Sequence, residues 1–377
     1  MITYGFLSTH PPTRCGLATF NSALASHLAP ESARGIVRVT STPDHDAPPA
    51  GVVHTWSAQG TAGWRAAAAA LNNYDVAVIQ HEYGIYPGRD GQEVLPLLRR
   101  LKVPSIVVLH TVLAHPSASQ RALLEEIVSA AGAIVTMTGT ARDRLLVGYT
   151  VDPAKVSVIP HGTVNHASTP VDRHARPQLL TWGLLGPGKG IEWALRALAL
   201  VQDLDPAPTY TIAGRTHPKV LEQHGDTYRA GLQQLGAQLG VTDAVRYDGV
   251  YHDQNALTRL IRSADVVLLP YDSREQVTSG VLVEAVAAGV PVVATPFPHA
   301  VELLADGPGL LVGHQDAAAL ARAVRRILTE PTLRETFAAR TRAVAPTLLW
   351  PAVAGRYSAL ARELLAVRAP AAMAAPA

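Results

Sequence analysis

Residues 265–297 read DVVLLPYDSREQVTSGVLVEAVAAGVPVVATPF and contain the residue types whose order could do chemistry. The apolar run 266–270 predicts a buried strand. After a polar loop, Thr278-Ser279-Gly280 opens a helix carrying Glu284, and Gly289-Val290-Pro291 ends it before a second strand at 292–295. Small residues feeding a helix N-terminus, at the carboxyl end of a parallel strand, put backbone N–H groups where they can hold phosphate. The same residues are ordinary helix caps, and the two roles are compatible. Glu284, one turn into the helix, is placed to accept hydrogen bonds from vicinal hydroxyls such as those of a ribose. An acid in the early turns also complements the helix dipole. Phosphate and ribose together point to a nucleotide.

That stretch needs a frame to hold it. Short apolar, β-branched runs alternate with Ala/Leu-rich segments of helical spacing. In the first half, strands are expected at 2–7, 36–40, 52–55, 76–80, 105–109, 133–137 and 156–159, with helices at 17–28, 63–71, 120–130 and 141–147. Alternation of this kind means a parallel sheet covered on both faces. The polar stretch 161–177 has no periodicity and reads as a linker. The pattern then restarts, with strands at 179–182, 209–213, 245–247, 266–269, 292–295 and 310–312 and helices at 191–201, 226–239, 254–263, 281–288 and 317–329. The expected fold class is α/β, two Rossmann-like, doubly wound parallel-sheet domains at 1–165 and 177–345. An amphipathic helix at 348–368 is expected to return to the first domain, and 369–377 to form a disordered tail.

Composition narrows the function. At 377 residues, 48% apolar and 16% charged, the chain is long enough for two cores. A formal net charge of +2 and no aromatic-interleaved basic tract argue against a nucleic-acid partner. The single cysteine, Cys15, excludes an internal disulfide framework and suits a reducing, cytoplasmic setting. The N-terminus lacks signal-peptide character, and no run of about 18 apolar residues could span a bilayer. Arg99, Arg100 and Lys102 leave peripheral membrane contact open beside the plainer reading of a solvated helix end.

The order of motifs resembles glycosyltransferase family 4, the retaining nucleotide-sugar transferases with two Rossmann-like domains facing across a cleft (the GT-B arrangement). The matching residues are Cys15-Gly16-Leu17, His110-Thr111, Ile159-Pro160-His161-Gly162, Gly186-Pro187-Gly188-Lys189-Gly190, and Ser279-Gly280 with Glu284-Ala285, Ala288-Gly289 and Pro291-Val292-Val293-Ala294. Trp350 and the helix after it match the family's return helix. The resemblance implies that Lys189 neutralises a leaving diphosphate, with Gly186 and Gly188 allowing close backbone approach. The family's usual arginine falls at Leu184, so Arg215, from the neighbouring strand, is expected to supply the second positive charge. Thr278, Ser279 and Gly280 would bind phosphate, Glu284 the ribose, and Gly16 would aim the first helix at the phosphates. Gln276 stands where the family has a glutamate, which leaves sugar identity open. His110 would touch sugar hydroxyls, Glu82 would orient an acceptor, and Tyr251 would lie near the base.

The resemblance implies a hexosyl donor of GDP-mannose or UDP-glucose type, a hydroxyl acceptor, and front-face substitution in which the leaving phosphate takes the acceptor proton. No cofactor beyond the donor substrate is expected, and no metal. Two Asp-x-Asp triplets, Asp44-His45-Asp46 and Asp203-Leu204-Asp205, follow no expected strand and read as solvated loop acids. Two other classes stay open: a sugar-nucleotide epimerase or phosphorylase of the same architecture, and a silent sugar-nucleotide binding protein, motivated by Leu184 and Gln276. Fold alone does not separate them.

Overall fold

The computed structural model describes the chain apart from residues 42–47, 58–62, 167–168, 171–173 and 373–377. It divides into two compact units, Met1–Gly162 with Trp350–Ala377, and Thr163–Leu349.

The first unit is built on seven parallel strands: β1 (Tyr4–Ser8), β2 (Arg34–Thr40), β3 (Val52–Ser57), β4 (Val76–His81), β5 (Ser105–Leu109), β6 (Ala133–Thr136) and β7 (Val156–Val158), in the order β3-β2-β1-β4-β5-β6-β7. Side-chain parity shows that both faces are covered. A Cβ on Gly5 would touch Leu71 and Tyr74, at the end of helix Trp64–Leu71. Phe20, on helix Gly16–Leu28, meets His110, which bonds Gln80 on the opposite face. Central strands are buried almost throughout, as expected where a sheet carries helices on both sides. Helix Trp350–Ala372 completes this unit, running past the expected start of the tail. Gly162 lies under the Trp350 indole so closely that a Cβ there would come within 2.2 Å of the ring, which accounts for the glycine in the Ile159–Gly162 motif.

The second unit has six parallel strands: β8 (Gln178–Trp182), β9 (Thr209–Ala213), β10 (Val245–Asp248), β11 (Val266–Leu269), β12 (Val292–Ala294) and β13 (Gly309–Leu311), in the order β10-β9-β8-β11-β12-β13. Its two faces bury separate cores. Leu179, Tyr210, Ile212 and Leu268 join one, and Leu180, Trp182, Val267 and Leu269 the other. Each expected strand has an observed counterpart. Three helices that the periodicity left out, Pro218–His224, Pro298–Leu304 and Pro331–Leu348, all begin on proline. Proline's missing N–H costs nothing at a first helical position, and its fixed φ suits a helix start.

Candidate active site

In a doubly wound sheet, ligands bind beyond the carboxyl ends of the strands where the strand order reverses. In the second unit that point lies between β8 and β11, and two loops leave it toward helices Ile191–Ala199 and Gly280–Ala287. They are tied together, since the Asp272 N–H donates to the Gly188 carbonyl at 3.0 Å. Gly190 makes the approach feasible. Its φ is +62°, and a Cβ would stand 1.8 Å from the Pro270 carbonyl oxygen. Gly188 also has a left-handed φ, +87°, yet a Cβ on it would meet nothing within 4 Å. Gly190 is thus required by the meeting of the two loops, whereas at Gly188 the left-handed backbone selects glycine and the space beside it is open.

Lys189 projects from this loop with its Nζ 4.3 Å from the centroid of the Tyr271 ring. The ring is braced in turn: Phe297 stacks on it at 5.1 Å, and the Tyr271 carbonyl accepts from Thr295 Oγ1 at 2.5 Å, with His314 Nδ1 at 2.9 Å. A cation over an aromatic face gains about 0.5–2 kcal/mol, depending on desolvation. No carboxylate pairs with Lys189 among the described residues, so its charge is available to an anion.

Opposite it, Ser279 caps helix Gly280–Ala287, its Oγ accepting from the Leu282 N–H at 3.3 Å. The Ser279 N–H donates to His299 Nδ1 at 2.8 Å. That amide was expected to hold phosphate, and here it is already engaged; the hydroxyl proton of Ser279 and the Gly280 N–H remain for a ligand. Thr278 Oγ1 is buried with no hydrogen-bond partner, the condition of a polar atom built to meet something else. Gln276 donates its amide to the Thr278 carbonyl at 3.1 Å, shaping the turn and leaving its own Oε1 as an acceptor.

Glu284 lies on the same helix. Trp182 Nε1–H, at the end of β8, donates to Glu284 Oε2 at 3.2 Å. Desolvation raises the carboxyl to about 7, and the Trp182 hydrogen bond opposes that rise. Arg215 is exposed after β9, with no partner for its guanidinium among the described residues. Tyr251 is 40% exposed, beyond β10. Asp203 pairs with Arg325 at 2.6 Å, while Asp44-His45-Asp46 lies outside the described residues. Among the described residues no group of three or more His, Cys, Asp or Glu side chains could hold a metal ion.

The corresponding point of the first unit lies between β1 and β4. His110 follows β5, its Nε2 2.8 Å from Gln80 Oε1 and its ring edge-on to Phe20 at 4.9 Å. Burial, with the neighbouring His161 and His81, lowers its pKa to about 3, so the imidazole is neutral. His81 and His161 are likewise lowered to about 4 by burial. Glu82 is held by its surroundings: Oε2 accepts from Thr111 Oγ1 at 2.5 Å and Oε1 from the Tyr83 N–H at 2.9 Å. Gly16 begins helix Gly16–Leu28 with open space around its absent side chain. Cys15, before it, is the N-cap, its Sγ accepting from the Ala18 N–H at 3.4 Å.

Sequence reasoning missed Tyr271, Trp182 and His299. Trp182 read as the last residue of a strand and Tyr271 as part of a polar loop, while His299 reaches the Ser279 amide through a pairing that no local pattern reveals. No helix among the described residues is long and apolar enough to cross a membrane.

Residues 176–330 match the family model described as Glycosyl transferases group 1. The D-inositol 3-phosphate glycosyltransferase of Stackebrandtia nassauensis is 32% identical over 230 residues, 57% of this chain and 50% of the relative. The enzyme of that name from Streptomyces griseus subsp. griseus is 30% identical over 295 residues, 68% and 61% of the two chains. The chain thus spans half to about three fifths of the length of these relatives. Among solved structures, Anabaena HepE in complex with UDP and glucose superposes with a TM-score of 0.73 at 16% identity, covering 96% of this chain and 99% of that one. Sucrose-phosphate synthase from Thermosynechococcus elongatus gives 0.72 at 20% identity, covering 97% and 100%. At such identities the likeness is one of fold. The match to the glycosyl transferases group 1 family spans residues 176–330, less than half of this chain, and it is that part which carries the family likeness.

Proposed function

We propose that this chain is a retaining glycosyltransferase that moves a hexosyl group from a nucleoside-diphosphate sugar, of the GDP-mannose or UDP-glucose type, to a hydroxyl acceptor without a metal ion. The observation that carries the reading is the joining of two loops at the switch point of the second sheet. It sets an unpaired lysine, the buried Thr278 hydroxyl, a helix N-terminus and a carboxyl group around one strand end.

As the anomeric C–O bond breaks, negative charge grows on the diphosphate oxygens. Fixed donors aimed there favour the transition state over the ground state. Lys189, Thr278 and the Gly280 N–H have that role, and Arg215 can add charge from its exposed position. Glu284 accepts from the ribose hydroxyls, and Tyr251 lies by the base. In front-face transfer the acceptor oxygen bonds to the anomeric carbon on the side the phosphate leaves, and a phosphate oxygen takes the acceptor proton. From the first unit, neutral His110 offers hydrogen bonds to sugar hydroxyls, and Glu82 orients the acceptor.

The reading agrees with the activity named for the relatives and with the UDP and glucose bound in HepE. Incubation with a panel of UDP- and GDP-sugars, with and without hydroxyl acceptors including D-inositol 3-phosphate, tests it. Acceptor-dependent release of nucleoside diphosphate with retention at the anomeric carbon is expected. Release without acceptor would favour an epimerase, and saturable binding without turnover a silent binding protein.

A further inference from the structure

Two motifs of the second unit take no part in the chemistry above, Thr216-His217-Pro218 and Gly225-Asp226-Thr227-Tyr228-Arg229. The second braces the first. Thr216 Oγ1 donates to Asp226 Oδ1 and Arg229 donates to the Gly214 carbonyl, both at 2.5 Å, while Asp226 and Arg229 pair at 3.6 Å. The braced segment then pairs with the Gly-rich loop. The Leu185 N–H donates to the Arg215 carbonyl at 2.9 Å, and the His217 N–H to the Leu185 carbonyl at 2.8 Å. A Cβ built on Gly186 would lie 3.9 Å from the Cβ of His217, and the Gly186 carbonyl accepts from the Lys189 N–H at 3.2 Å. His217 and Lys189 therefore flank one turn.

The tautomer of His217 follows from its cap. The Lys219 N–H donates to His217 Nδ1 at 3.2 Å. A backbone N–H can only donate, so Nδ1 carries a lone pair and the proton of the neutral ring sits on Nε2. Burial, with Lys219 and Lys189 nearby, holds the imidazole below its ordinary range, in keeping with a neutral ring. The other side chains of the Gly-rich loop, Leu184, Leu185 and Pro187, are apolar, so Lys189 is the only charged group that loop offers.

We propose that His217 donates its Nε2–H to the same diphosphate that Lys189 holds, as an uncharged second donor on the far side of the turn. This rests on the nucleoside-diphosphate reading above. The bland account is that His217 only caps helix Pro218–His224, and substitutions separate the two. H217D keeps an acceptor for the Lys219 N–H and has no donor, H217S keeps an acceptor and carries its hydroxyl donor on a side chain too short to reach the Nε2 position, and H217N keeps an acceptor and an N–H donor.

Affinity for UDP and GDP, by calorimetry, and turnover with the active nucleotide sugar are measured beside the thermal midpoint. H217S is expected to keep its midpoint and lose about ten-fold or more in turnover, with H217D losing more and H217N less. Unchanged nucleotide affinity and turnover in H217S would leave only the cap. Should H217S or H217D unfold, the wild-type protein still decides: the His217 Nε2–H resonance must move on adding the nucleoside diphosphate that binds, and an unmoved signal overturns the assignment. A wild-type chain that binds neither UDP nor GDP overturns the donor reading itself, and the His217 role with it.

Discussion

The two units share a strand order about their first and fourth strands and differ in what stands at their strand ends. The first presents imidazoles at or beyond the ends of its fourth, fifth and seventh strands, each kept neutral by burial: His81 edge-on to Tyr83, His110 against Gln80 and Phe20, and His161 against Phe20 and the Gly162 carbonyl. The second presents an ammonium over an aromatic ring, two left-handed glycines and a carboxyl poised near neutrality. Neutral imidazoles can be desolvated at modest cost and both donate and accept, which suits sugar hydroxyls. A diphosphate needs charge and convergent N–H groups. On the proposed reading one topology serves two kinds of recognition, and the choice lies in side chains at a few strand ends.

The largest expected effect breaks the charged side. Lys189→Ala should lower kcat by about 10²–10³-fold with an unchanged thermal midpoint, on the scale of losing one fixed donor to a developing anion. Near-normal turnover would remove Lys189 from the chemistry and leave the ammonium as ornament on Tyr271.

A smaller effect sharpens the role of Glu284. Its carboxyl titrates at about 7, and the carboxylate accepts from a diol better than the neutral acid does. Donor affinity should therefore rise as pH increases from 6 to 8. Glu284→Gln should bind about ten-fold more weakly at pH 8 and lose this part of the pH dependence. A variant whose affinity profile follows the wild type across that range would dismiss the ribose contact.

The last test sets the units against each other through stability. An imidazole whose folded pKa is depressed contributes stability that is present above its unfolded value, near 6.5, and lost as pH falls toward the folded one. For His81 and His161 that window runs from 6.5 to about 4. Glu284 has the opposite sign: its folded pKa is raised from 4.5 to about 7, so its contribution is full below 4.5 and is lost as pH rises through 7. Each pKa unit corresponds to about 1.4 kcal/mol. Hydrogen exchange, corrected for intrinsic rates, should show peptides of the first unit losing protection at a higher pH than those of the second as the solution is acidified. Simultaneous loss would mean that the imidazoles do not set acid stability.

Much of the frame could be read before any coordinates. Thirteen apolar runs have strands as counterparts, because period and β-branching act locally. In the second unit the helices that went unread begin on Pro218, Pro298 and Pro331, where a residue known for ending helices starts them instead; in the first, the five-residue helix Val94–Leu98 is too short for its period to show. At the site, Lys189, Glu284 and the Thr278–Gly280 turn could be picked out because each sits in a short motif. The engagement of the Ser279 amide by His299, twenty residues on, could not be foreseen, nor could the pressing of Gly190 on Pro270.

What the sequence determined by itself was the alternation of elements, the likeness of residues 176–330 to a known family, and the residue types at the strand ends, since these depend on local pattern and on motif order. Tertiary structure alone decided which of those residues keep free hydrogen-bonding capacity. Whether a given amide, imidazole or ammonium is engaged or open depends on partners brought together by strand order, such as Tyr271 beneath Lys189, Trp182 against Glu284 and Lys219 on His217.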